Sequence, residues 1–215
     1  QLIDFGTEVT QLTRSQLAAA LGNIGLVIPG AILFDFFWRA IFGQHVIPME
    51  YAQKTISSLN PFASLTLPMA ALTGVLLWLS SIMAGWVENW VVYRRIPEAI
   101  AQNRTLKRVF SSESSQKFAD WLIRNTSAIG GNVSLGFFLA FTPIFGRFFG
   151  LPLDVRHITL STGALTFSVC ALGVTDLNAS DFLLACFGII LIGLLNFGVS
   201  FALALYTALR ARRIR

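Results

Sequence analysis

Five long apolar blocks alternate with short polar joints along this chain. They cover residues 17–38, 65–87, 128–150, 158–174 and 182–209. A helix needs about 20 apolar residues to cross a hydrocarbon core, and each block comes close to that length. Because backbone polar groups must be satisfied inside a bilayer, the pattern predicts an all-α polytopic membrane protein. We expect residues 1–215 to form a single helical membrane domain.

The second block ends in an aromatic belt. Trp86, Trp90 and Tyr93 are spaced i, i+4 and i+7, so they share one helix face, and Arg94 and Arg95 follow directly. Trp and Tyr concentrate at membrane–water interfaces, whereas Arg and Lys concentrate in cytoplasmic loops. We interpret these five residues as anchors at the cytoplasmic interface.

Residues 94–126 form the longest polar stretch and contain seven basic residues. Pro97 suits a first helical turn, and a serine within residues 111–115 is suited to cap a second helix. Phe118 and Trp121 share a face of that second helix, which predicts a cytoplasmic amphipathic segment lying along the headgroups. A helical hairpin packed on other protein is the alternative.

The distribution of basic residues among the joints and tails conflicts with five membrane crossings. If all five blocks span, 8 basic residues of the joints and tails lie inside and 7 outside. If residues 128–150 instead enter and return on one side, 14 lie inside and 1 outside. The positive-inside rule therefore favours four transmembrane helices plus one re-entrant hairpin, with the C-terminus in the cytoplasm, over the five-span alternative. The glycines, polar residues and Pro143 of that block suit a reversing chain, and such a chain implies an enclosed or wet cavity.

Polar residues inside the apolar blocks are the candidates for function. Asp35 and Arg39 are one helical turn apart, which predicts an intramembrane ion pair, with a structural role as the simpler interpretation. The candidates for lining a ligand site or pore are Asn132, Ser134, Thr142, Asn196 and Ser200. Helix packing is the competing interpretation, because small and hydroxyl side chains let membrane helices approach closely.

Motifs of known chemistry are missing from the sequence. His45 and His157 are its two histidines, neither has a cysteine nearby, and there is no phosphate loop or G-x-S-x-G run. We therefore expect no metal, cofactor or catalytic residue, and we favour a protein that is not an enzyme.

Composition and charge indicate the partners. Hydrophobic residues make up 54% of the chain and charged residues 13%, about half the charged share of soluble domains. The net charge of +5 is concentrated in the joints and the C-terminal tail, which favours anionic lipid on the cytoplasmic side. We also expect protein partners or a homo-oligomer, and no nucleic acid on this region. The start at Gln1, without a signal-peptide pattern, predicts a piece of a longer protein.

Four runs carry a resemblance to a known family. They are LTRSQLAAALGN (12–23), GWVENWVVYRRIPEAIAQNRTLKRV (85–109), GGNVSLGFFLAFTPIFGRFFGLPLDVRHITLSTG (130–163) and GLLNFGVSFALAL (193–205). The chain resembles the C-terminal membrane part of the bacterial Gcr-type proteins described as site-specific recombinase. The resemblance implies a multi-pass protein of the bacterial inner membrane.

The resemblance supplies no catalytic residues. A tyrosine recombinase needs a nucleophilic tyrosine, but Tyr51, Tyr93 and Tyr206 lie at or near membrane segments, and neither histidine begins an H-x-x-R. The leading prediction is an integral inner-membrane module of unassigned activity that anchors a larger protein or binds partners. The alternatives are a transporter or channel component with a path lined by residues 130–150, and a recombination role in a region N-terminal to this one.

Overall fold

The computed structural model describes residues 2–109 and 111–211, and over this part of the chain it contains helices and no strands. The helices are α1 (Leu2–Phe42), α2 (Met49–Ser58), α3 (Thr66–Tyr93), α4 (Ile96–Gln102), α5 (Arg104–Val109), α6 (Ser112–Phe149), α7 (Ile158–Asp176) and α8 (Ala179–Ala211). Arg212, Arg213 and Arg215, on which the predicted cytoplasmic C-terminus partly depends, lie outside the described residues.

Four helices are long and apolar enough to cross a membrane, namely Leu21–Phe42, Thr66–Tyr93, Ser112–Phe149 and Ala179–Ala211. This confirms the predicted all-helical fold with four helices of membrane-spanning length. The apolar part of α7, Ile158–Gly173, is shorter. At 1.5 Å per residue it extends about 24 Å, less than the roughly 30 Å of a hydrocarbon core.

The structure does not show the hairpin predicted within residues 128–150, where α6 is one continuous helix of 38 residues. Its glycines are contact points and do not reverse the chain. A Cβ at Gly130 would lie 3.0 Å from Val87 Cβ, and one at Gly131 would lie 3.2 Å from Ala84 Cβ. Small residues at such positions let α6 approach α3 closely. Pro143 is accommodated inside the helix.

The polar stretch is also organised differently from the prediction. Ser111 caps α6, since its Oγ accepts the Ser114 N–H at 3.1 Å, and Pro97 lies in the first turn of α4, both as predicted. However, the polar start of α6 continues directly into its apolar part, and α4 packs against it. Ser115 and Ala119 form part of the buried face. The segment thus forms an α4–α6 hairpin, as in the alternative interpretation, and its position along the headgroups stays a prediction.

The chain divides into two compact units. Among the described residues, the first contains those up to Gly74 together with Asp154–Tyr206, and the second contains Val75–Leu153 and those from Thr207 to Ala211. In the first unit α7 packs against both α1 and α2. Its hydrophobic core is built from Ala52, Ile56, Leu59, Ala70, Leu165, Leu172, Ala185, Ile189 and Ile192. The prediction of a single membrane domain stays a prediction.

Contacts of two glycines define the direction of α8 in the first unit. Gly188 lies against the carbonyl of Leu59, the residue directly after α2. Further along, a Cβ at Gly74 would lie 2.8 Å from Val199 Cβ. Because the contacts advance along both segments together, α8 runs in the same direction as α3.

Candidate functional site

Two interruptions of the helical path in the first unit bring polar groups together. One lies between α2 and α3, and the other ends at His157, immediately before α7. Helix ends leave backbone N–H and C=O groups without intrahelical partners, so each interruption needs side chains that supply hydrogen bonds. We call the side chains that do so the polar junction, consisting of Ser58, Thr66, Thr73, Asp154, Arg156 and Asn196.

Hydroxyl groups donate hydrogen bonds to main-chain carbonyls in the interruption between α2 and α3. Thr66, fully buried, donates its hydroxyl to the Ser58 carbonyl at 2.7 Å. The Ser64 hydroxyl lies 2.6 Å from the Asn60 carbonyl and 2.8 Å from Thr66 Oγ1. These bonds supply partners for the Ser58 carbonyl at the end of α2 and for the Asn60 carbonyl just beyond it.

Asn196 joins three separate elements from its position in the middle of α8. The residue is 3% exposed. Its Oδ1 accepts the Ile158 N–H at 3.1 Å, and its Nδ2 donates to the carbonyls of Ala70 at 3.0 Å and Arg156 at 2.9 Å. A carboxamide offers two donors and an acceptor oxygen, so both donors and the oxygen are used within the fold. Asn196 therefore satisfies the first N–H of α7 and ties α7 to α3.

Arg156 is the charged centre of the polar junction. Its main-chain N–H donates to Thr73 Oγ1 at 3.0 Å, and its Nη1 donates to Ser58 Oγ at 3.2 Å. Its Nη2 lies 2.9 Å from Asp154 Oδ2, with the arginine side chain 16% exposed and the aspartate side chain 53% exposed. A mostly buried guanidinium is thus neutralised by a carboxylate that reaches the surface.

Close backbone approach makes these bonds possible. A Cβ at Gly188 would overlap the Leu59 carbonyl, and one at Gly74 would lie 2.9 Å from the Leu195 carbonyl. A side chain at either position would push α8 away from the interruption between α2 and α3. The two glycines therefore set the distance at which Asn196 reaches its partners.

Some polar atoms near the polar junction remain unpaired. Within the described residues, Arg156 Nε, His157 Nδ1 and Thr159 Oγ1 are buried without a hydrogen-bond partner. Burial lowers the pKa of His157 from its ordinary value of 6.5, because the charged imidazolium loses solvation. The neutral form of His157 is therefore favoured in the folded protein.

The chemistry of the polar junction is that of structural hydrogen bonding. Its donors and acceptors mainly satisfy each other, and it contains one cation and one carboxylate. In the part of the chain that the structure describes, no group of three or more His, Cys, Asp or Glu residues is arranged to hold a metal ion.

The predicted ligand or pore residues are divided between the two units, with Asn196 and Ser200 in the first and Asn132, Ser134 and Thr142 in the second. Asn196 belongs to the polar junction, whereas Ser200 donates to the Phe197 carbonyl of its own helix at 3.0 Å. On α6, Asn132 is exposed and Ser134 is half-buried. Thr142 donates to the Phe138 carbonyl at 2.7 Å, also within its own helix. Helix packing and backbone satisfaction thus account for the bonds of Thr142, Asn196 and Ser200.

The predicted partner of Asp35 differs from the observed one. Asp35 is buried, but its Oδ2 lies 2.8 Å from His45 Nδ1 and its Oδ1 accepts the Val46 N–H at 3.0 Å. None of the ion pairs among the described residues joins Asp35 to Arg39, and Arg39 is exposed. The i, i+4 spacing identified a charged pair on the same helix, whereas the partner comes from the joint that folds back after α1.

The predicted interface anchors are at the surface of the protein. Trp86, Trp90 and Tyr93 are 59%, 45% and 83% exposed, and Arg94 and Arg95 are exposed as well. This arrangement is what an aromatic belt followed by a basic turn requires.

Sequence reasoning missed Arg156, Thr73 and Ser58 as site residues. The sequence marks Arg156 only as one of the positive charges that bear on membrane orientation. The available signal was an arginine between two apolar blocks with an aspartate two positions earlier, because such a charge must find compensation. Its hydroxyl partners are 83 and 98 positions away in the chain and carry no local pattern.

Comparison with known proteins gives one family. The family model described as site-specific recombinase matches residues 1–215. No curated protein and no solved structure matches the chain significantly.

Proposed function

This chain belongs to the site-specific recombinase family, and we propose that residues 1–215 act as an integral inner-membrane module that anchors a larger protein and binds partners. The observation that carries the proposal is the uncovered apolar surface of its long helices. Only 6% of the apolar stretch of α6 and 11% of that of α1 is buried. Surfaces of this kind are stable against lipid or against other membrane helices.

Anionic lipid is the partner that the exposed charges favour. The basic residues from the end of α3 through α5 are all exposed, namely Arg94, Arg95, Arg104, Lys107 and Arg108. They follow the exposed aromatic belt, so they would lie beside lipid headgroups if the belt marks the interface. Each basic residue near an anionic surface contributes about 1 kcal/mol of attraction, which salt weakens.

The direction of α8 supports a cytoplasmic C-terminus. Parallel helices that both cross a membrane end on the same side, so α3 and α8 require an odd number of crossings between them. Because α6 is long enough to cross and the apolar part of α7 is shorter, we infer that α6 crosses and α7 does not. This arrangement leaves Lys54, Arg147 and Arg156 on the opposite side, with Arg156 already paired to Asp154.

Lipid retention tests the proposal directly. Native mass spectrometry of the detergent-purified protein should show retained phosphatidylglycerol but little phosphatidylcholine, and the difference should shrink at high salt. Replacing Arg94, Arg95 and Arg104 with glutamine should reduce the anionic lipid. Lys54→Gln is the matched control, because Lys54 is exposed but bonded to Glu50 in α2. Equal retention of both lipids, or no effect of the triple substitution, would contradict the proposal.

Anchoring is tested separately. A soluble reporter fused to the chain should remain in the membrane fraction after washing with alkaline carbonate. Release of the reporter by that wash would show that the chain does not span the bilayer.

Transport is a second candidate, which the interrupted helices favour. Discontinuous membrane helices with a polar centre are typical of binding sites in secondary transporters. In the first unit, Arg156 lies at such a centre, with Ser58 and Asp154 within hydrogen-bond distance.

Proteoliposomes distinguish this candidate from the first. A transporter for a small ion should give a flux of protons, potassium or chloride above that of empty liposomes, and Arg156→Gln should reduce it. Arg147→Gln is the control, because Arg147 is exposed on α6. A flux equal to that of empty liposomes for all three ions would contradict the transport candidate.

A further inference from the structure

The side of α6 that faces away from α3 carries an unpaired carboxamide. Gly130 and Gly131 lie against Val87 and Ala84 of α3. Asn132 is exposed, and among the described residues it makes no hydrogen bond. Successive residues of a helix are about 100° apart, so Asn132 lies about 200° around the helix axis from Gly130. The amide is therefore on the face that α3 leaves open.

The position of Asn132 along α6 is within the part that would cross a membrane. Residues 125–146, between Arg124 and Arg147, contain no charged residue. At 1.5 Å per residue this stretch extends about 33 Å, close to the roughly 30 Å of a hydrocarbon core. Asn132 lies within about 6 Å of its middle. Lipid tails offer no hydrogen bond at that depth, so the carboxamide favours contact with another polar group.

A groove of small side chains extends from Asn132 along the same face. Gly136 and Ala140 follow it at intervals of four residues, and both are exposed. A Cβ at Gly136 would meet nothing within 4 Å. Small residues four apart let the backbones of two membrane helices approach closely. The groove is therefore shaped for a second helix.

A ridge of larger side chains runs beside this groove. Val133, Phe137 and Phe141 each directly follow one residue of the groove, and they are 67%, 62% and 49% exposed. The rings of Phe137 and Phe141 are stacked with their centroids 5.4 Å apart, so the ridge is preformed. Helices pack by placing the ridges of one into the grooves of the other, commonly along rows of residues four apart. A face that contains a ridge next to a groove is complementary to itself.

On the basis of the proposed function, in which α6 crosses the membrane, we propose that this groove and ridge pair α6 with α6 of a second copy of the chain. In a twofold-symmetric pair the same patch meets itself, so Asn132 of one copy meets Asn132 of the other. A carboxamide has both donors and an acceptor, and two identical amides can therefore bond each other. An identical partner supplies the hydrogen bond that lipid does not.

Cysteine cross-linking of the full chain in native membranes tests the pairing. In a background with alanine at Cys170 and Cys186, oxidation should link Ala140→Cys into a disulfide dimer of two chains. Phe138→Cys is the matched control and should stay monomeric, because Phe138 is half-buried about 200° around α6 from Ala140. Equal cross-linking at the two positions, no cross-link at position 140, or a cross-link there to a different protein would overturn the proposal.

Energy transfer between donor- and acceptor-labelled copies in liposomes measures the association constant. Asn132→Ala should weaken association about fivefold, through loss of an interhelical hydrogen bond. Gly136→Ile should weaken it further, because the added side chain fills the groove. Gly198→Ile is the matched control, since Gly198 is exposed on α8 with nothing within 4 Å of its Cβ position. Association that is unchanged in both α6 variants would overturn the proposal.

Failure of the pairing is distinguishable from failure of the anchor. Asn132→Ala should remain in the membrane fraction after an alkaline carbonate wash, because α6 still crosses. At a protein-to-detergent ratio too low for pairing, its free energy of unfolding should equal that of the wild type, since Asn132 makes no hydrogen bond within the described chain. Release of the wild type by the wash would contradict the anchor and the pairing together. Retention of a wild type that does not cross-link at position 140 would contradict the pairing alone.

Discussion

Asn196 Nδ2 donates a hydrogen bond to the Ala70 carbonyl at 3.0 Å, across 126 positions of the chain. The same amide binds the main chain on both sides of His157. One side chain in α8 thereby ties α3 to the start of α7. Because the amide is buried, its loss leaves buried backbone groups without partners, which costs more than the hydrogen bonds themselves contribute.

Asn196→Leu should therefore destabilise the protein strongly. Leucine has a similar size but offers no donor or acceptor, so the Ile158 N–H and the carbonyls of Ala70 and Arg156 lose their partner. The expected loss in the free energy of unfolding is about 2–4 kcal/mol. Unfolding in mixed micelles of mild detergent and SDS measures it. Asn132→Leu is the control, because Asn132 is exposed on α6, and equal losses for the two variants would contradict the role of Asn196.

Gly188→Ala should also destabilise the protein. A Cβ at this position would overlap the Leu59 carbonyl, so α8 must move away from the interruption between α2 and α3. Overpacking of this kind costs about 1–3 kcal/mol in the free energy of unfolding. Gly85 has nothing within 4 Å of its Cβ position, so Gly85→Ala should be neutral or stabilising by up to about 1 kcal/mol. The same unfolding assay compares the two, and a neutral Gly188→Ala would contradict the close contact.

Features encoded locally were predictable from the sequence. The length of the apolar runs predicts the long helices, the serine run predicts a helix cap, which Ser111 provides, and the spacing of Trp86, Trp90 and Tyr93 predicts that they share one helix face. Each depends on residues within one or two helical turns of each other, where spacing determines the geometry.

Features that depend on folding back were not predictable in the same way. Glycines such as Gly130 suit either a chain reversal or a close helix contact, and only the position of Val87 decides between them. Asp35 has Arg39 one turn away in sequence, but the joint after α1 brings His45 closer. Asn196 was recognisable as a polar residue in an apolar block, whereas its partners on α3 and before α7 were not.

The ion pair between Arg156 and Asp154 should contribute only modestly to the free energy of unfolding. Asp154→Ala removes the carboxylate that neutralises a mostly buried guanidinium, but the Asp154 side chain is 53% exposed and solvent screens the pair. We expect a loss of about 1 kcal/mol in the free energy of unfolding, below the 3–5 kcal/mol of a fully buried pair. The micelle unfolding assay tests it, with Asp176→Ala as the exposed control. A loss above about 3 kcal/mol would mean that the pair is less screened than its exposure indicates.

His157 should make the protein less stable in acid. Its pKa is lowered in the folded state by burial, so below its ordinary value of 6.5 the unfolded chain binds the proton more readily than the folded chain. The free energy of unfolding should therefore fall as the pH drops below that value. His157→Gln removes the titrating group and should flatten this part of the profile, measured by thermal unfolding in detergent between roughly pH 5 and 8. An unchanged profile in His157→Gln would assign the acid sensitivity to other groups.

The parallel direction of α3 and α8 makes a prediction about membrane topology. If both helices cross, the α4–α5 region and the end of α8 face the same compartment. In a background with alanine at Cys170 and Cys186, single cysteines at Asn103 and Ala211 should therefore react with an impermeant maleimide from the same side. A cysteine at Asp176, the last residue of α7, should react from the opposite side, because we infer that α6 crosses before it. Labelling of the Asn103 and Ala211 positions from opposite sides would contradict four crossings and favour five.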